Sequence, residues 1–469
     1  MWELQKYKEK IAIIDELGPT ASYGEIDEAG RELVEVIGGR CLVASLCQNT
    51  IGSVVGYITF LNNDIVPIML NTNLEKELMV NLLNVYAPKY VWIPTKQVSA
   101  FDSWQAIYSC YDYTLLKTAY DVNYPLNDDL ALLLTTSGST GSPKFVRQSY
   151  ANIRANTDSI VAYLHLDETE KPITTLPMNY TYGLSIINSH FMVGATLLLT
   201  DKSLMQKEFW RFFENNGATS FGGVPYTYEM LKKLRFMRMN LPTLRTMTQA
   251  GGKLTPELHE EFARYAAENG KNFIVMYGQC EATARMGYLP ADMAVEKRGS
   301  MGIAIPGGKF HLIDVNGTDI TTPNTTGELV YEGKNVTMGY AVKGEDLILG
   351  DERNGILKTG DMAQFDTDGF YYIVGRKKRF LKIYGNRVNL DEIDCLIKAH
   401  FDIVDVASTG VDDHMYIFVT DKEIASDVKQ FVAEKTKINS AAFKTFVIDE
   451  IPKNDSGKIL YKELTQYYE

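Results

Sequence analysis

At 469 residues the chain is too long for one ordinary domain, and two or three are expected. Its 45% apolar and 23% charged content is that of a soluble globular protein with a sizeable core. A net charge of −12 argues against a nucleic-acid or anionic-membrane partner, and no apolar stretch approaches the ~18 residues of a membrane span. The first residues lack the apolar core of a signal peptide. The five cysteines are scattered and form no C-x-x-C pair, so neither a disulfide framework nor a zinc site is expected. A reducing cytoplasm is the expected compartment.

Residues 1–127 alternate short apolar runs with polar helical stretches, which favours a parallel α/β sheet. The run 51–61 reads as a buried helix, 64–70 as a strand and 90–93 as another strand. No cluster in this part suggests chemistry. The apolar run 130–135 reads as a buried strand, and it leads into Thr136, Ser137, Gly138, Ser139, Thr140, Gly141, Ser142, Pro143 and Lys144. Glycines let the backbone approach a ligand, consecutive N–H groups form an anion nest, and Lys144 adds a positive charge. The stretch reads as a phosphate loop, but its two glycines lie three apart, so it is not G-x-x-x-x-G-K-[ST]. On composition alone a flexible loop is as good a reading.

Downstream, 175–185 reads as strand, turn and helix with an aromatic pair. Pro225 opens a helix through Leu234, and Gly251 and Gly252 precede a helix with Thr255 as N-cap and Pro256 at its first position. Leu258, Phe262, Tyr265 and Ala266 share one face of it, and Gly270 ends it. The strand 273–276 runs into Tyr277, Gly278, Gln279, Cys280 and Glu281. A carboxylate just beyond a buried strand is where α/β enzymes put ligand groups; a surface glutamate opening a helix is the plainer alternative. Segments 327–331 and 338–340 look like a small β-rich subdomain. Beyond residue 378, inside the charge run 375–385, about 90 residues remain, enough for a separate α+β unit.

The string 136–144 resembles the phosphate-binding signature of the adenylate-forming superfamily: acyl- and aryl-CoA ligases, luciferases and peptide-synthetase adenylation domains. Further resemblances follow in the family's order over roughly residues 20 to 460. They are Leu176-Pro177 to Gly183-Leu184, Gly223-Val224-Pro225, Gly251-Gly252, Tyr277 to Glu281, Thr359-Gly360-Asp361, Gly375-Arg376, and Pro452-Lys453 to Gly457-Lys458. The implied fold is α/β: a large N-terminal α/β domain with a β-rich subdomain (1–377) and a small mobile α+β C-terminal domain (378–469).

The resemblance implies roles residue by residue. The loop 136–144 holds phosphate, Gly252 and Tyr277 lie against adenine, and Gly278 joins Tyr277 among the residues that bind ATP or AMP. Cys280 replaces a threonine that touches the α-phosphate, Glu281 holds magnesium, Asp361 takes the ribose hydroxyls, and Arg376 reaches ribose and phosphate. Asn179, Tyr180, Tyr182, Gly223 and Met276 face the acid. Lys378 matches the hinge, Gly385 a glycine on the thiol path, and Lys458 the catalytic lysine. No Asp or Glu occurs between Glu170 and Asp201, which disfavours an α-amino acid substrate, because a buried ammonium would lack its partner charge.

Joining a carboxylate to the α-phosphorus of ATP brings two anions together, and preset cations must offset the repulsion. The implied activity is an acid–thiol ligase that uses ATP and Mg2+ to make an acyl-AMP. The acyl group then passes to coenzyme A or to the phosphopantetheine of a carrier protein. A ligase acting on an amine is the alternative, and a catalytically dead nucleotide-binding regulator the least favoured reading.

Overall fold

The computed structural model describes residues 1–135, 144–401, 403, 405–454 and 459–468, with positions 378 and 387 described by backbone alone. Leucine- and valine-rich runs with no polar alternation become strands buried on both faces, as parallel sheets require. Leu42–Cys47, Val66–Asn71 and Leu130–Thr135 are of this kind. They sit at the centre of an eight-stranded mixed sheet. Its order is Gly339–Ala341, Phe145–Ser149, Leu130–Thr135, Val66–Asn71, Leu42–Cys47, Tyr90–Pro94, Tyr113–Lys117, Gln105–Cys110. The central pairs are parallel, and the pairs toward both edges are antiparallel.

The helix Ile51–Asn62, buried at every residue from Ile51 to Leu61, packs beside this sheet. A helix apolar all round belongs inside a core.

The second sheet has five strands: Ser220–Gly223, Thr246–Gln249 and Asn272–Tyr277 in parallel, then Gly287–Tyr288 and Ile303–Ala304 antiparallel. Thr255 caps the helix Pro256–Glu268 by accepting from the Leu258 N–H, and Leu258, Phe262 and Ala266 are buried. A third, antiparallel sheet comprises Asp319–Ile320, Gly308–Ile313, Gly327–Gly333, Ile356–Phe365 and Tyr371–Arg376.

One expectation is corrected here. The triplet 338–340 does not belong to the β-rich subdomain's sheet. Gly339–Ala341 pairs antiparallel with Phe145–Ser149 and so completes one edge of the large sheet. Arg147, fully buried, donates to the carbonyls of Tyr340 (3.0 Å), Met338 (3.3 Å) and Gly350 (3.2 Å), and pairs with Glu352 at 2.5 Å. Those bonds hold the late segment on the sheet edge beside Lys144.

Beyond Arg376, a hairpin Phe380–Ile383/Asn386–Asn389 precedes the helix Leu390–Phe401. Then come the strands Val406–Val411, His414–Val419 and Phe443–Val447 and the helix Ala425–Thr436. Leu381, Ile393, Ile397, Ile417, Val428 and Phe443 share a core here. This part meets the helix Pro225–Lys233, where Lys398 Nζ lies 3.7 Å from Glu229 Oε1 and Lys453 Nζ 4.7 Å from the Tyr226 ring centre. Among the described residues, no helix is long and apolar enough to cross a membrane.

Candidate active site

Asn272–Tyr277 delivers its last residue to the C-terminal edge of the second sheet, and the chain then folds tightly back. Met286 N–H donates to the Tyr277 carbonyl at 2.8 Å, and Ala284 N–H to that of Gln279 at 3.3 Å. Gly278 lies at the closure of this loop: a Cβ there would sit 1.5 Å from the Ala284 oxygen. Only glycine permits that approach.

Two polar clusters flank the loop. In the first, Asp361 Oδ2 accepts from Tyr277 Oη at 2.5 Å and from Gln279 Nε2 at 2.9 Å, and Arg376 Nε lies 3.5 Å from Asp361 Oδ1. Asp361 is 5% exposed, and burial raises its carboxyl above the ordinary value while Arg376 and the two donors hold it down. Burial, with Asp361 beside it, pushes the Tyr277 phenol well above its usual value, so that hydroxyl stays a donor.

In the second cluster, Glu281 Oε1 accepts from Tyr340 Oη at 2.8 Å. Lys144 Nζ stands 3.5 Å from the centre of the Tyr340 ring, and Arg353 Cζ lies 4.6 Å from it. Arg353 Nη1 also donates to the Glu281 carbonyl at 3.0 Å and to Thr337 Oγ1 at 2.7 Å. Burial and then the neighbouring Glu281 push Tyr340 up to about 12. Tyr340, Arg353 and Gln279 carry this geometry and were not singled out from sequence.

Of the residues expected to face the acid, Tyr180, Tyr182 and Met276 pack in one hydrophobic cluster with Tyr277. Tyr180 and Tyr182 open the helix Thr181–Met192, with ring centres 6.4 Å apart at 67°. Tyr182 Oη shares a hydrogen bond with Thr248 Oγ1 at 2.7 Å. Met276 is buried, and its Sδ accepts from Tyr163 Oη at 3.1 Å. Asn179 is half-buried just before the tyrosines. Gly223 faces Thr227 and Tyr228; the neighbouring Gly222 is the glycine turned to Tyr182, whose Oη would meet a Cβ there at 2.9 Å. The turn 251–252 lies against Tyr180 and Pro225: a Cβ at Gly251 would lie 2.9 Å from Tyr180 Oη and one at Gly252 3.0 Å from Pro225 Cγ.

Cys280 is buried within the loop. Gly385 makes the hairpin turn after Ile383 at φ +85°, with open space around it. Thr136, Ser137, Gly138, Ser139, Thr140, Gly141 and Lys458 lie outside the described residues, as does the side chain of Lys378.

Magnesium fits Glu281 by donor chemistry. No cluster of three or more His, Cys, Asp or Glu side chains suited to a metal occurs among the described residues. Mg2+, however, is commonly held by one or two carboxylates plus phosphate oxygens and waters.

The AMP-binding enzyme family model matches residues 2–341. The chain belongs to the AMP-binding enzyme family. Among the relatives of this AMP-binding enzyme, the oxalate–CoA ligase of Arabidopsis thaliana is 29% identical, with 74% of this chain and 69% of the relative covered. The 2-succinylbenzoate–CoA ligase of Bacillus licheniformis is 27% identical, over 72% of this chain and 70% of the relative.

The structure is similar to that of o-succinylbenzoate CoA synthetase from Bacillus subtilis bound to its acyl-adenylate intermediate. The TM-score is 0.79 at 22% identity, covering 97% of this chain and 95% of the other. ATP-bound MatB from Rhodopseudomonas palustris gives 0.80 at 22% identity, covering 98% and 96%. These likenesses span both parts of the fold.

Proposed function

We propose that this AMP-binding enzyme is an AMP-forming acid–thiol ligase of the acyl-CoA synthetase kind. It activates a carboxylic acid with ATP as acyl-AMP, releases pyrophosphate, and transfers the acyl group to a thiol. One observation carries the reading: the Asp361 and Glu281 clusters stand at the two ends of one five-residue loop, whose Tyr277 packs in one cluster with Tyr180 and Tyr182. The CoA-ligase names of the relatives support it.

In this reading Asp361 accepts the ribose hydroxyls, with Tyr277 and Gln279 fixing its orientation, and Arg376 adds charge toward ribose and phosphate. Lys144 and the loop before it gather phosphate oxygens. Mg2+ on Glu281 would neutralise phosphate charge when bound, and Tyr340 holds that carboxylate in place. Lys458 bridges the carboxylate and the α-phosphate as a point charge. We place the domain boundary at 377/378, with Lys378 as the hinge that lets the small domain withdraw Lys458 and open a thiol path past Gly385. The acceptor is coenzyme A or a carrier protein's phosphopantetheine, and the compartment a reducing cytoplasm, in keeping with five scattered cysteines that form no C-x-x-C pair.

The test is acid-dependent pyrophosphate release with Mg·ATP, over short, aryl, hydroxy and dicarboxylic acids, with and without coenzyme A. Release that turns over only with coenzyme A supports the reading. Release that coenzyme A does not accelerate moves the acceptor to a carrier protein or an amine. A Lys458→Ala variant that stays folded and fully active refutes the mechanism.

A further inference from the structure

Arg285 is a buried charge that the adenylation scheme leaves unused. It is 3% exposed and follows two consecutive non-glycine residues with positive φ, Thr283 at 57° and Ala284 at 110°. Strained backbone of this kind persists only where the surroundings enforce it. Here they do: the Arg285 carbonyl accepts from Asn156 Nδ2 at 2.8 Å and from Asn335 Nδ2 at 3.0 Å.

The guanidinium is surrounded by neutral groups. Its Nε donates to Ser185 Oγ at 3.2 Å, its Nη1 reaches Tyr163 Oη and Met276 Sδ at 3.0 Å each, and its Cζ lies 5.1 Å from the Tyr182 ring centre. Among the described residues no carboxylate pairs with it, and Nη2 makes no hydrogen bond. A guanidinium cannot shed its proton, so this buried charge has polar and ring partners but no counter-charge until an anion arrives.

The place for that anion is a narrow cavity lined by Arg285 together with Ile186, His190, Phe221, Gly222 and Thr248. At about 20 Å³ it has room for roughly one water, so it admits a small polar group rather than an acyl chain. His190 supplies a second, independent sign of an absent ligand. It is 4% exposed, and its Nε2 is buried without a partner. Its Nδ1 faces the Ile186 carbonyl at 2.8 Å and must donate there, which leaves a lone pair on Nε2. Burial, with Arg285 adding to it, holds the ring down to about 4, and an anion set between the two would raise it and let Nε2 donate. The cavity's carboxylate, Glu170, is already engaged by Thr219 Oγ1 and by Arg245 at 3.3 Å.

Met276 and Tyr182, which the ligase reading sets against the acid, both touch Arg285. We infer that Arg285 binds the second acidic group of a short dicarboxylic acid whose first carboxylate is adenylated. This rests on the ligase reading above.

The experiment compares malonate with propanoate, succinate with butanoate and glutarate with pentanoate on the full-length chain, by ATP–pyrophosphate exchange. At least one diacid should exceed its monoacid partner in kcat/KM by about 100-fold or more, because a site built around a charge rejects the analogue lacking it. Arg285→Gln should cut that ratio at least about tenfold, chiefly through KM, and Arg285→Lys should restore part of it. A wild-type preference for monoacids, or an unchanged ratio in Arg285→Gln, overturns the inference.

Should the variants not fold, thermal stabilisation of the wild type decides. Stabilisation by a diacid and not by its monoacid partner supports the subsite, and equal effects overturn it. Diacid-specific stabilisation without exchange for any acid would uphold the subsite while refuting the ligase reading.

Discussion

Gly278→Ala should disable this protein through backbone contact alone. The new Cβ would stand 1.5 Å from the Ala284 oxygen, 2.6 Å from its carbonyl carbon and 3.0 Å from Arg285 Cα. Ordinary packing needs about 3.5 Å, so the loop must open by about 2 Å. All three are backbone atoms, so no side chain can rotate away. Opening strains the Met286–Tyr277 and Ala284–Gln279 hydrogen bonds and the Asn335 contacts to Ala282 and Arg285. Overpacking plus one lost hydrogen bond comes to about 3 kcal/mol, or roughly 6 °C in melting temperature for a large domain. Because Tyr277 and Glu281 ride on the loop, acid-dependent exchange should fall at least about 100-fold. Gly385→Ala is the control, with positive φ but empty space around it, and should cost only about 1 kcal/mol. Differential scanning fluorimetry and exchange assays on both variants test this. A Gly278→Ala protein melting within about 1 °C of wild type with near-normal exchange would refute the steric reasoning.

Three further outcomes are expected. Asp361→Asn removes the charge facing Arg376 and should raise the KM for ATP about tenfold, measured by exchange at saturating acid. Tyr340→Phe keeps the ring under Lys144 but frees Glu281 Oε1; the Mg2+ concentration giving half-maximal rate should rise several-fold, and a magnesium titration reads it. Asp394, buried beside Arg379 with Oδ1 unpartnered, is pushed up to about 7, chiefly by burial. Its folded value thus exceeds its unfolded one. Its contribution to stability is full at low pH and is lost as pH rises through about 7. Asp394→Asn should flatten the pH dependence of C-terminal unfolding between about pH 4 and 8, followed by urea titration at each pH.

Locally encoded features were legible in the sequence. The unbroken apolar run at 51–61 and the Thr255-Pro256 start carry their own signals, in hydrophobic pattern and capping chemistry, and the structure has those helices. The Tyr277–Glu281 and Asp361 segments were legible as motifs, and the fold brings them within hydrogen-bond reach.

Features that depend on distant pairing were not legible. Gly339–Ala341 is too short to show a strand period, and its partner lies in a different part of the chain. That placement alone puts Tyr340 on Glu281. Gln279 reads as a filler position until Asp361 arrives from the third sheet. Arg285 did leave a trace, a lone charge in the otherwise uncharged run 282–291, which could have marked it as buried.

The long-range clasp at the edge of the large sheet bears on how the chain is made. Phe145–Ser149 receives its outer partner only after about 190 more residues have been synthesised. At ordinary ribosomal rates that is roughly 10–40 s with one flank of the nascent sheet open. Through that interval Arg147 has none of its later carbonyl partners and leaves a cation on the bare edge, the kind of residue that deters stray strand pairing. The side chain that locks the finished sheet would thus also guard the unfinished one, and a ribosome pausing before residue 341 would lengthen the time that guard is needed.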